Sequence, residues 1–153
     1  MITAQNVSKQ FNGLSVIKDL SLKINEGEIV GLLGPNGAGK TTTLRMLTGV
    51  LPVSRGHIKI DDKDPIEDAE IRQSIGYLPE NNPLYEEMTV EEWLKYWVQI
   101  KQPKASLEDI PDVVKKTGLE AVYFRLIGEL SKGYRQRVGL AQAVLGNPRI
   151  LVL

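Results

Sequence analysis

Eight consecutive residues constrain this chain more than any others: Gly34-Pro35-Asn36-Gly37-Ala38-Gly39-Lys40-Thr41, a G-x-x-x-x-G-K-[ST] run. It follows Glu28-Ile29-Val30-Gly31-Leu32-Leu33, a nearly unbroken apolar run that predicts a parallel, central strand buried on both faces. It precedes TTTLRMLTGVLP, in which Leu44, Leu47 and Leu51 predict one apolar face of a helix before Gly49 and Pro52 disrupt the run. Glycines at such spacing let successive backbone N–H groups turn inward around a polyphosphate, and the helix start adds further N–H groups and its positive dipole end. In that arrangement the backbone from Gly34 to Gly39 cradles the anion and Lys40 reaches the outer phosphates as a mobile point charge. Thr41 offers its hydroxyl to Mg²⁺, and Thr42 bonds an inner phosphate oxygen. The motif alone leaves GTPases, small-molecule kinases, motors and transport ATPases open.

Composition narrows the setting. The 153 residues include no cysteine, which excludes a disulfide framework, a thiolate metal site and a cysteine nucleophile, and a reducing, intracellular setting is expected. Nineteen bases balance nineteen acids, so no nucleic-acid partner is expected on bulk charge. The balance hides an asymmetry: residues 61 to 92 hold two bases and eleven acids, whereas the flanks are basic. Ile29 to Leu33 and Ile150 to Leu153 are too short to cross a bilayer, and the first residues lack a signal peptide's apolar stretch.

Residues 2 to 7 and 16 to 24 predict antiparallel strands with one face in water, because Leu20, Leu22 and Ile24 alternate with Ser21 and Lys23. His57 to Ile60 and Ile75 to Pro79 are further strand candidates. Thr89 with Glu92 forms a capping-box pattern opening a helix through Trp93, Leu94, Trp97 and Ile100, which Pro103 closes. Ser106 to Thr117 predicts a helix stopped by Gly118, with Pro111 marking a late start. Ser131 to Leu145 predicts a helix with Tyr134, Val138, Ala141 and Leu145 on one face, followed by a strand from Arg149. His57 has no ligand partner nearby and is expected to be structural, and Trp93, Tyr96 and Trp97 are spaced for packing.

No Asp-x-x-Gly or Asn-Lys-x-Asp occurs, which removes the usual basis of guanine selectivity. Leu130-Ser131-Lys132-Gly133-Tyr134-Arg135-Gln136-Arg137 resembles the signature motif of ATP-binding-cassette (ABC) ATPases. The likeness runs along the chain: Phe11-Asn12-Gly13 matches the site of the family's adenine-stacking aromatic residue, residues 34 to 41 match its Walker A loop, Ile75 to Glu80 resemble its approach to the Q-loop, and Ile150 to Leu153 resemble the apolar half of Walker B. Tyr-Leu-Pro-Glu with Asn-x-Pro-Leu-Tyr is most similar to ABC-2-type exporter ATPases, including the group associated with gliding motility.

The resemblance implies an α/β fold of the P-loop NTPase class, ABC ATPase type, with an N-terminal antiparallel β subdomain, a parallel core sheet and an inserted helical subdomain. Residues 1 to 88 would form the β subdomain and P-loop core, 89 to 128 the helical subdomain, and 129 to 153 the signature helix and the start of Walker B. It implies ATP and Mg²⁺ as cofactors, a second ATPase copy or paired subunit, integral membrane permease partners, and a cytoplasmic place on the inner face of the membrane. ATP would lie between one copy's residues 34 to 41 and the other's Ser131, Lys132, Gly133 and Tyr134. Two positions depart from the pattern: Glu80 replaces the Q-loop glutamine, where its carboxylate keeps the means to ligate Mg²⁺, and Lys132-Gly133-Tyr134 replaces Gly-Gly-Gln. Glu80, Glu86, Glu87, Glu91 and Glu92 follow the Q-loop, where the family docks its membrane subunit, so by the resemblance they would select a basic partner surface; a merely solvated acidic face is the alternative. A non-transport ABC protein and a small-molecule kinase are the alternatives, and the kinase leaves the signature helix unexplained.

The pattern stops at Leu153, where the family continues with the Walker B Asp-Glu, so the terminal strand is expected to lack its flanking strands and to expose apolar residues. Steady-state phosphate release by the purified 153-residue chain is accordingly expected to be close to background, and normal turnover would contradict this.

Overall fold

The computed structural model describes residues 1–101 and 104–153; Pro103, read above as a helix stop, lies outside them. The chain divides into two units, Met1–Arg72 and Gln73–Leu153.

In the first unit β1 (Ile2–Phe11), β2 (Leu14–Ile24) and β3 (Arg55–Ile60) form an antiparallel sheet of order β2-β1-β3. Asn12 and Gly13, both at positive φ, supply the two-residue hairpin turn between β1 and β2 that matches strand twist. Along β1 the buried residues run Ile2, Ala4, Val7, so the alternation slips once. Asn6, at φ 49°, takes up the extra residue as a bulge, and the register shifts there against both neighbours. As predicted, Leu20, Leu22 and Ile24 on β2 are partly covered while Ser21 and Lys23 face water. His57 lies on β3, its Nε2 2.9 Å from Gln5 Oε1 across the ladder, which is a structural contact.

One expectation in this unit fails. Glu28 to Leu33 is not a buried central strand: it pairs with no strand among the described residues, and Ile29 and Leu33 are almost wholly exposed. An apolar run becomes a parallel strand only when neighbours accept its N–H and C=O groups and helices cover both faces, and neither condition is met here. The helix after the loop, α1 (Lys40–Leu47), ends just before Gly49 as expected, and its buried face is Thr43, Met46 and Leu47, with Leu44 and Leu51 only partly covered. Much of the acidic stretch serves turns and caps. The N-terminal ammonium pairs with Asp61 at 2.6 Å, and Asp68 accepts from the Ile71 N–H at the start of α2 (Ala69–Gln73) while pairing with Lys63.

In the second unit β4 (Ile75–Tyr77) and β5 (Ile150–Val152) form a parallel pair, and α3 (Val90–Lys101), α4 (Ile110–Thr117) and α5 (Lys132–Val144) enclose an apolar core. Trp93, Leu94 and Val98 from α3 meet Val113 and Val114 from α4 and Val138 and Ala141 from α5 in that core. Trp97 and Tyr134 pack against it, and the more exposed Tyr96 keeps ring contacts with Trp93 and Trp97. Pro111 does mark a late start: a 3₁₀ turn at Leu107–Asp109 comes first, and Pro111 falls in the first turn of α4, where a missing N–H costs nothing. Gly118, in the left-handed region, ends α4 as predicted.

At the head of α3 the Glu92 N–H donates to Thr89 Oγ1 at 3.2 Å and the Thr89 N–H donates to Glu92 Oε2 at 2.8 Å, a reciprocal capping box. Those Thr89 donors hold the Glu92 carboxyl below the usual carboxylate range, so its contribution is present at neutral pH and is lost as pH falls through the lowered value. Replacing Thr89 with Ala is expected to cost about 1 kcal/mol, read as a lower urea midpoint at unchanged slope.

Candidate nucleotide-binding site

The loop from Gly34 to Gly39 projects into solvent in the first unit. Gly37 and Gly39 lie at φ 81° and 86°, conformations that turn the backbone inward and that other residues adopt only under strain. A Cβ on Gly39 would run into the Cδ1 of Ile17, so β2 backs directly onto the last glycine of the loop. Gly39 is also the N-cap of α1 and brings no side chain to the helix's free N–H groups, and the first turn holds no acid. Lys40 folds back over the loop, its Nζ donating to Gly34 O at 2.7 Å and Pro35 O at 2.9 Å. Thr41 and Thr42 follow in the first turn. The chemistry of this donor set fits a polyphosphate: backbone N–H groups, one ammonium, two hydroxyls and no opposing carboxylate on the helix.

The second unit holds a similar helix end. Ser131 is the N-cap of α5, its Oγ accepting from the Tyr134 N–H at 3.4 Å, and again no acid stands in the first turn. Ser131, Lys132 and Gly133 are exposed. Tyr134 is held differently from the other three. Its ring lies 5.5 Å from the Arg137 guanidinium, and Arg137 donates to Gly118 O at the C-terminus of α4. The Tyr–Arg spacing was visible in the sequence; the partner on α4, nineteen positions away, was not.

Glu80 is exposed just beyond β4, where the Leu78 N–H donates to Val152 O and ends the ladder with β5. It therefore stands outside the carboxyl ends of parallel strands, the edge at which open α/β sheets bind ligands. No cluster of three or more His, Cys, Asp or Glu able to hold a metal exists among the described residues, so an ion here needs phosphate oxygens and water as further ligands. Phe11 closes β1 at the hairpin, the residue 43% exposed and Lys9 Nζ 5.1 Å from its ring centroid. Of the five acids after β4, two have internal duties: Glu91 pairs with Lys95, and Glu92 caps α3. Glu80, Glu86 and Glu87 stay exposed. Sequence reading passed over Asn82, whose amide is buried without a hydrogen-bond partner against Gly139 of α5.

Comparison with known proteins agrees with this geometry. The ABC transporter family model matches residues 17–153. The chain is 39% identical over 159 residues to the lipopolysaccharide export system ATP-binding protein LptB of Escherichia coli strain K12, covering 99% of this chain and 66% of that protein. It is 38% identical over 163 residues to the ABC transporter ATP-binding protein NatA of Bacillus subtilis strain 168, covering 99% of this chain and 65% of that one. The chain thus spans just under two thirds of these relatives' length. Among solved structures, the dimeric MJ0796 bacterial ABC transporter cassette superposes with a TM-score of 0.88 at 30% identity, covering 99% of this chain and 72% of that one. Matched by the family model over residues 17–153 and superposing on a solved cassette, the chain belongs to the ABC transporter ATP-binding family and has the α/β P-loop fold of ABC ATPases.

Proposed function

We propose that this chain is the ATP-binding part of an ABC transporter ATPase of ABC-2 exporter type, which in the full-length protein hydrolyses ATP to drive transport by membrane subunits. One observation carries the reading. Of the four longer helices among the described residues, α3 and α4 carry acids in their first turns, whereas α1 and α5 carry none. A free carboxylate beside those N–H groups would compete with a phosphate, and its absence at both motif-bearing ends suits anion binding.

Lys40 gives up its loop carbonyls to reach the outer phosphates, and the N–H groups of residues 37 to 41 hold them. Thr41, in the first turn of α1, is the side chain of this loop that would hold Mg²⁺, which would supply charge neutralisation on the transferred phosphoryl group. Phe11 offers an exposed face to adenine. Ser131 and Gly133 of a second copy present an acid-free helix start to the terminal phosphate, so each nucleotide joins two copies and binding favours their closure. No helix among the described residues is long and apolar enough to cross a membrane, in keeping with an ATPase that sits on the cytoplasmic face against integral membrane partners.

Titration with a fluorescent ATP analogue in Mg²⁺ is expected to show saturable binding that Lys40→Met weakens at least about tenfold, the loss of one charge-assisted contact. Equal binding by the variant, or none by the parent chain, overturns the site. Glu86 and Glu87 are the acids left for a basic partner surface. Reversing both charges to Lys is expected to reduce co-purification with the membrane subunits at low salt, and unchanged assembly would reject the docking role.

A further inference from the structure

The last residue of α3 closes a helix to which it does not belong. Lys101 Nζ donates to Gln142 O at 3.2 Å, Ala143 O at 3.4 Å and Leu145 O at 3.2 Å, all at the C-terminal end of α5. The two remaining carbonyls of that turn are answered by backbone: the Leu145 N–H donates to Ala141 O and the Asn147 N–H donates to Val144 O. Every orphan carbonyl of the helix end is therefore satisfied, three of them by one ammonium whose donors are all spent. No carboxylate pairs with Lys101 among the described residues, and burial pulls its pKa down from the ordinary lysine value. A desolvated ammonium held only by the negative end of a helix dipole is a directional fastening: the helix cannot slide along its axis without breaking three hydrogen bonds together.

The same turn is gripped from the other side. A Cβ on Gly76 of β4 would overlap Ala143 O and come within 2.8 Å of Pro148 Cγ, so the strand backbone abuts the carbonyl that Lys101 holds. Gly76 is paired with Leu151 of β5. Lys101, β4 and the approach to β5 thus converge on the end of α5, while Ser131 and Gly133 stand at its other end, roughly 20 Å away for a helix of this length.

We propose that Lys101 is a positioning residue that sets the axial register of α5, and through it the placement of the Ser131–Gly133 helix start against the nucleotide of a second copy. The proposal rests on the ATPase reading above. Lys101→Met keeps the stem's packing and removes the donors. In the full-length protein, Lys101→Met is expected to lower kcat for ATP hydrolysis about tenfold to a hundredfold, the cost of a sub-ångström to ångström misplacement, while nucleotide affinity at the Lys40 loop stays within about twofold. Lys101→Arg, which restores a cation with several donors, is expected to recover most of the rate. A folded Lys101→Met variant with unchanged kcat overturns the proposal, and so does a parallel fall in affinity and kcat, which is what a purely structural role produces. If Lys101→Met loses its helical signal, Lys101→Gln, with two donors on a shorter stem, is judged by the same split. If the unsubstituted full-length protein hydrolyses no ATP, the ATPase reading fails instead. Amide exchange at Leu145 and Asn147 then decides the Lys101 fastening: acceleration of about tenfold in Lys101→Met upholds it and no change overturns it.

Discussion

Every α-helix begins with N–H groups that its own carbonyls do not reach, and what a protein places in front of them decides whether that end is a joint or a binding site. In α3 the chain spends Thr89 and Glu92 on those groups, closing the end for stability. In α1 it spends a glycine with no side chain at all, and in α5 a serine whose bond to the Tyr134 N–H is long at 3.4 Å. The functional reading follows from this difference in how the helix starts are treated. Both helices then draw support from elsewhere as well, α1 having no side-chain cap and α5 only the long Ser131 bond. For α1 the support is β2, whose Ile17 backs against Gly39. For α5 it is Arg137 reaching Gly118 near the start and Lys101 gathering three carbonyls at the finish.

The charge pattern acquires a similar explanation. A net charge of zero conceals an acid-rich middle, and that middle is largely consumed in local chemistry. Asp61 holds the N-terminus, Asp68 caps α2 and pairs with Lys63, Glu91 pairs with Lys95, and Glu92 caps α3. Exposed pairs such as these contribute little individually to stability, and their effect is to set turn and helix starts. Glu80, Glu86, Glu87 and the capping Glu92 are the acids of that middle stretch exposed after β4.

Legibility tracked the range of the interaction involved. The capping box at Thr89, the late start at Pro111, the stop at Gly118 and the serine at the head of α5 all depend on residues within about one helical turn, and each was visible as spacing. The bulge at Asn6, the Tyr134–Arg137–Gly118 contact, the unpartnered amide of Asn82 and the Lys101 fastening depend on residues far apart in the chain, and no periodicity signals them.

Glu28 to Leu33 marks the boundary between the two kinds of knowledge. Its composition established that it is apolar on both faces, and the motif after it established that a phosphate loop follows. Neither could supply a neighbouring strand, and the segment stands exposed and pairs with no strand among the described residues. The sequence by itself determined the family and the glycine-rich loop with its lysine ahead of α1, because residues at fixed offsets make that motif within a few positions. Only the tertiary structure decided which apolar runs are buried and which ammonium holds α5, because a strand ladder and a desolvated lysine exist only once distant backbone groups have been brought together.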